Sequence, residues 1–180
     1  VTDKTPHTSI ERIGIDESGK GDYFGPLVIA AVFVDAITQG ELTLMNVRDS
    51  KKISDGRILE MAPDIRMLCP HSIIAIGPQR YNELYAKIRN LNRLLAWGHA
   101  KALETLLEKV SCGRAIADQF GDERLIVNAL QEKGRTIVLE QRPKAETDLA
   151  VAAASILARA EFLLRLKRLS NEIGTALPKG

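Results

Sequence analysis

Four carboxylates stand out as candidates for chemistry. Asp16 and Glu17 are adjacent, directly behind the apolar-leaning run Ile13-Gly14-Ile15. Asp118 closes a second such run, Gly113-Arg114-Ala115-Ile116-Ala117, and Glu146 stands just ahead of Leu149-Ala150-Val151-Ala152-Ala153-Ala154. Taken alone, Asp16-Glu17 reads most simply as a solvated acid pair where a strand turns. Carboxylates among core residues, however, suffer desolvation and mutual repulsion unless a cation neutralises them, and Asp118 repeats the pattern. Carboxylates from separate elements, with no histidine or cysteine beside them in sequence, make an all-oxygen donor set suited to Mg²⁺ or Mn²⁺ rather than zinc. A divalent pair held in this way activates a water and steadies a leaving oxygen, which is the chemistry of phosphodiester hydrolysis.

Behind the acid pair comes Ser18-Gly19-Lys20-Gly21-Asp22-Tyr23-Phe24-Gly25-Pro26, too rich in glycine and proline to be helical. Glycines let a backbone approach a ligand closely, and the lysine between them offers a cation to a phosphate. Ser18, Gly19, Lys20 and Gly21 are therefore candidate substrate contacts. The loop is neither a dinucleotide fingerprint nor a Walker A sequence. Asp49-Ser50-Lys51 reads as a cap ahead of a helix or as a substrate contact, with Lys51 the best candidate of the three. Trp97 and His99 lie in a leucine-rich helix and read as packing residues without a ligand role. Ser155 has no histidine partner and reads as no nucleophile. Arg159, Arg165, Lys167 and Arg168 read as a solvated face in preference to a phosphate track.

The elements that must position these groups follow from the apolar patterns. Ser9–Asp16 and the all-apolar Leu27–Val34 read as strands, and the loop between them is too short for a crossover helix, so they form an antiparallel pair. A helix from Ser54-Asp55 to about Cys69, interrupted in pattern by Pro63, precedes a strand over His71–Ile76. A long helical region over 81–110, a strand over 113–118, a helix over 122–133, a strand over 136–140 and a last helix from 147 to about 173 complete the chain. The order β, β, α, β, α, β, α, β, α predicts an α/β domain with a mixed five-stranded sheet flanked by helices. It excludes a phosphoacceptor receiver domain, which also starts with acids but needs regular β-α alternation.

The 180 residues fit one domain, and 45% hydrophobic with 27% charged residues excludes disordered and fibrous classes. Residues 1–50 carry eight acidic and four basic residues, whereas the remainder carries 21 basic and 15 acidic, a local negative cluster set among cations. No apolar run is long enough to span a membrane, and the N-terminus lacks the apolar stretch of a signal peptide. With only Cys69 and Cys112, far apart, a reducing cytoplasm is the expected compartment, and a monomer is the default.

The run Gly14-Ile15-Asp16-Glu17-Ser18-Gly19-Lys20-Gly21-Asp22-Tyr23-Phe24-Gly25-Pro26-Leu27 resembles the signature of the type 2 ribonucleases H. Its Ser-Gly-Lys-Gly-Asp-Tyr-Phe form is nearer to ribonuclease HIII than to ribonuclease HII, which usually has arginine between the glycines. Asp49-Ser50-Lys51-Lys52, Asn92–His99, Asp118-Gln119-Phe120, Lys144-Ala145-Glu146 and Val151–Arg159 follow in the family's order. The resemblance implies a ribonuclease H-like fold and endonucleolytic cleavage of the RNA strand of RNA/DNA hybrids with Mg²⁺ or Mn²⁺, leaving 3′-hydroxyl and 5′-phosphate ends. Carried over by position, Asp16, Glu17, Asp118 and Glu146 would be the metal-binding, catalytic acids. Glutamate at 146 again matches the HIII branch. Gly19-Lys20-Gly21 would sense the ribose 2′-hydroxyl. Members of the HIII branch also carry an N-terminal domain resembling the TATA-binding protein and further C-terminal helices. Residues 1–180 are accordingly expected to be the catalytic domain of a longer protein. The alternatives are an HII-like enzyme excising single embedded ribonucleotides and a non-catalytic hybrid-binding module.

Overall fold

The computed structural model describes residues 10–120, 122, 124–131 and 134–179. Ser9, the first residue of the expected opening strand, and residues 132–133, the expected end of a helix, lie outside them. β1 (Arg12–Ser18) and β2 (Leu27–Val34) pair antiparallel, with Arg12 opposite Val34 and Ser18 opposite Val28, as the short glycine loop requires. β3 (His71–Ile76) adds antiparallel to β2, while β4 (Arg114–Asp118) and β5 (Val138–Arg142) add in parallel on the other side of β1. The order β3-β2-β1-β4-β5 gives the expected mixed five-stranded sheet.

Helices cover both faces. α2 (Asp55–Leu68) and α6 (Leu149–Ile173) bury Val28, Ala30, Val32 and Val34 on one side. On the other, α4 (Leu91–Leu107) packs on Ile13, Ile15, Ile29 and Ala31. β2 thus buries alternate residues in two different cores, which is why it is apolar at every position. α6 reaches the sheet through its alanines and through Gly14, where a Cβ would stand 2.1 Å from the backbone of Ala150 and Val151. No helix among the described residues is long and apolar enough to cross a membrane.

Several elements differ from the sequence pattern. α1 (Ala36–Leu44) was not expected; Asp35 caps it by accepting the Thr38 backbone N–H at 2.8 Å, and the Thr38 hydroxyl accepts the Asp35 N–H in return. The expected helix over 81–110 is two helices, α3 (Pro78–Ile88) and α4, because Arg89 takes a left-handed conformation (φ 51°) and the Asn90 side chain starts α4 by accepting the Arg93 N–H. α5 covers only Arg124–Ala129. A 3-10 turn, Gly134–Thr136, occupies the start of the expected fifth strand, and another, Ala145–Thr147, precedes α6. Pro63 sits inside an unbroken α2.

Candidate active site

The two-residue period of β1 separates its polar side chains. Ile13 and Ile15 face α4, and Glu17 continues that row; Arg12 and Gly14 face α6, and Asp16 continues theirs. Side chains adjacent in sequence therefore enter one cleft from opposite faces, and they meet because the strand ends there. β4 runs parallel to β1 with Ile15 opposite Ala117, so Asp118 follows one step later, as Asp16 does on β1. Asp16, Glu17 and Asp118 line a common cleft of about 410 Å³.

The two neighbours differ electrostatically. Burial and the Glu17 charge hold the Asp16 carboxyl well above the ordinary carboxylate range, against the pull of the Glu17 backbone N–H, which donates to Asp16 Oδ1 at 2.8 Å, and of Lys51. Burial pushes Glu17 upward as well, but His99, Lys20 and Lys51 outweigh it and leave this carboxyl below its ordinary value. His99 Nε2 lies 3.0 Å from Glu17 Oε2, and Lys20 Nζ lies 3.9 Å from Oε1. His99, expected to be packing alone, is fully buried yet touches a candidate functional acid; Trp97, expected alongside it, is 42% exposed. Its place in a leucine-rich segment concealed the contact, since α4 crosses the end of β1 only in three dimensions.

The loop after β1 forms another wall. Gly19 (φ 87°) and Gly21 (φ 81°) both hold left-handed backbone, which favours glycine. At Gly19 a Cβ would also meet Pro26 O at 2.1 Å, whereas nothing lies within 4 Å of the corresponding point on Gly21. The first glycine is required by the turn, and the second leaves its backbone open to a ligand. Ser18 and Lys20 line the same cleft, and Lys51 and Arg159 face them. Asp49 is buried and caps its turn by accepting the Lys51 N–H, so within Asp49-Ser50-Lys51 it is Ser50 and Lys51 that reach the cleft. Ser155 Oγ accepts the Ser50 N–H at 3.0 Å and donates to Ala152 O, tying this turn to α6. Arg159 departs from the solvated-face reading: it borders the cleft, pairs with Asp55 at 3.3 Å and lies over the Phe162 ring. Arg165, on the next turns of α6, pairs with Glu161 outside it.

Glu146 is half-buried on the turn Ala145–Thr147, beside but not among the residues lining the cleft. The Ala145 N–H reaches Asp118 Oδ1 at 3.5 Å, which ties this turn to the end of β4. Among the described residues no three His, Cys, Asp or Glu side chains stand close enough to share one ion as placed. The donor set nevertheless fits a hard divalent cation: Asp16, Glu17 and Asp118 supply oxygens only, and Asp16, raised first by burial and then by the Glu17 charge, is a carboxylate that a bound cation would stabilise in its charged form.

The sequence model of the ribonuclease HII family, described as "Ribonuclease HII", matches residues 13–180. The chain belongs to this family. Among individual proteins it is 51% identical over 178 residues to ribonuclease HIII of Protochlamydia amoebophila, covering 99% of this chain and 58% of that protein. It is 47% identical over 172 residues to ribonuclease HIII of Chlamydia pneumoniae, covering 94% and 58%. The crystal structure of Bst-RNase HIII in complex with Mn²⁺ superposes with a TM-score of 0.88 at 34% identity, over 96% of this chain and 58% of that one. The chain thus spans about three fifths of the length of these relatives. The ribonuclease H-like fold expected from the motifs is the observed one, and the three relatives named above are ribonucleases HIII.

Proposed function

We propose that the chain carries the active site of an endonuclease that hydrolyses the RNA strand of RNA/DNA hybrids, leaving 3′-hydroxyl and 5′-phosphate ends. The observation that carries this reading is the cleft in which Asp16, Glu17 and Asp118 face the Gly19-Lys20-Gly21 loop, in a chain of the ribonuclease HII family. Asp16, Glu17, Asp118 and Glu146 would hold Mg²⁺ or Mn²⁺, which supplies Lewis acidity and an activated water. A Mn²⁺ complex of a similar protein supports a divalent cation as the partner of these acids.

The chain's own groups account for the rest. Lys20 and Lys51 place cations where a phosphodiester would approach the acids, and Arg159 extends this positive border. Gly21 exposes backbone that could bond a ribose 2′-hydroxyl, the group that separates RNA from DNA. Ser18, at the end of β1, fixes where the loop leaves the sheet. Burial pushes the Cys69 thiol up to about 11, which makes it an inert core residue.

Initial rates on an all-RNA/DNA hybrid, a DNA duplex with four consecutive ribonucleotides and one with a single ribonucleotide test the reading, each with Mg²⁺, with Mn²⁺ and with a chelator. The expected result is metal-dependent cutting of the first two, slower cutting of the third and none of plain DNA. Equal or faster cutting at the single ribonucleotide would favour the HII-like specificity, and cutting of plain DNA would discard the proposal.

A further inference from the structure

A buried histidine is costly unless its nitrogens are partnered. His99 is fully buried on α4, and its Nδ1 finds no hydrogen-bond partner among the described residues. Leucine would fill the same apolar space without that cost. What the imidazole alone provides is the contact at Nε2, 3.0 Å from Glu17 Oε2. A carboxylate only accepts, so Nε2–H is the donor. The ring is held on one further side, and its helix is pressed onto the sheet. Phe120, two residues beyond Asp118, meets it edge to face with centroids 4.8 Å apart, and the same ring lies 5.7 Å from Lys20 Nζ. Gly98 lets α4 press against β2, since a Cβ there would come within 2.6 Å of Ile29 Cδ1.

We propose that His99 is a positioning residue: its hydrogen bond to Oε2 fixes the rotation of the Glu17 carboxylate and leaves Oε1, on the Lys20 side, to the cleft. This rests on the metal-binding role proposed for Glu17. Phe120 completes the device by keeping the imidazole from turning away, and it links the Glu17 side of the cleft to the strand that carries Asp118.

The test compares the whole chain with His99→Leu, which deletes the donor, and His99→Gln, whose amide N–H reaches a similar point. Three measurements are made: Mn²⁺ affinity by electron paramagnetic resonance without nucleic acid, kcat and KM on the hybrid, and the imidazole ¹⁵N spectrum with and without Glu17→Gln. His99→Leu should weaken Mn²⁺ binding and lower kcat by about 10- to 100-fold with KM for the hybrid unchanged, and His99→Gln should recover most of both losses. The Nε2 resonance should move in Glu17→Gln. Unchanged Mn²⁺ affinity and kcat in His99→Leu, no recovery in His99→Gln, or an Nε2 resonance indifferent to residue 17 would each overturn the assignment. A wild-type chain that neither bound Mn²⁺ nor cut hybrid would remove the nuclease reading instead, and the ring spectrum would still decide whether His99 holds Glu17.

Discussion

The two ends of β1 treat charge in opposite ways. At its start Arg12 is buried but satisfied: Nε donates to Asp148 Oδ2 at 2.7 Å, and Nη1 donates to Ile10 O and Gln39 Oε1. Four residues later, on the same face of the strand, Asp16 is buried beside Glu17 and Asp118, with the Glu17 N–H and the Lys51 charge as partial relief. One end is a closed ion pair that fastens α6 to the sheet; the other is open in its charge balance. A fold satisfies buried charge where it needs only strength, and negative charge left in surplus at a cleft marks a place prepared for a positively charged visitor.

Four substitutions test this contrast. Asp16→Asn should have the largest effect, a loss of hybrid cleavage of at least about 100-fold, because a carboxylate proposed to hold the divalent cation disappears. The same variant should be more stable at neutral pH. Because the native Asp16 carboxyl titrates above its unfolded value, the wild type loses stability as pH rises from the ordinary carboxylate range through that raised value. Melting curves of wild type and variant should therefore coincide in acid and separate towards neutrality; separation in the opposite sense would mean that the fold does not disfavour the Asp16 charge.

Breaking the closed end should act on stability. Arg12→Leu strands Asp148 and should cost about 3 kcal/mol in urea unfolding, the range seen when one partner of a buried pair is removed. Adding Asp148→Asn should return part of that loss, since no charge is then left unpaired; a double variant no better than Arg12→Leu would show that the pair works through packing alone. Lys51→Ala should be smallest, a few-fold weaker hybrid binding that fades at high salt. Binding unchanged at low salt would remove Lys51 from the substrate surface.

Much of the cleft was legible because its residues announce themselves by type. Acids that follow apolar runs at Asp16, Glu17 and Asp118, and glycines crowded into a loop, violate the local pattern of a folding sequence. His99 violates nothing, being one polar residue in a helix whose partner lies 82 positions away, so only the crossing of α4 over β1 reveals its contact. Arg159 was obscured by the other basic residues of α6, which share its charge and not its direction. In the fold, the mixed sheet and its antiparallel start followed from the short loop and the apolar β2. The missed α1 has a reason too: it buries only Thr38 and Leu42 and carries Gly40, so no apolar stripe marks it. The break between α3 and α4 rests on the left-handed Arg89 and on the cap that Asn90 supplies, and neither interrupts the apolar pattern.

The seat of Ala150 and Val151 on Gly14 has a further consequence, for the timing of motion. Two main chains in van der Waals contact have no rotamers to exchange, so the start of α6 and the middle of β1 must separate together or not at all. Amide protons around this contact should accordingly exchange with heavy water only when the whole domain opens, whereas those of the Gly19–Gly25 loop exchange freely. The Glu146 turn, which leads directly into α6, is thereby expected to share the slow exchange of this contact, and the loop across the cleft to exchange faster.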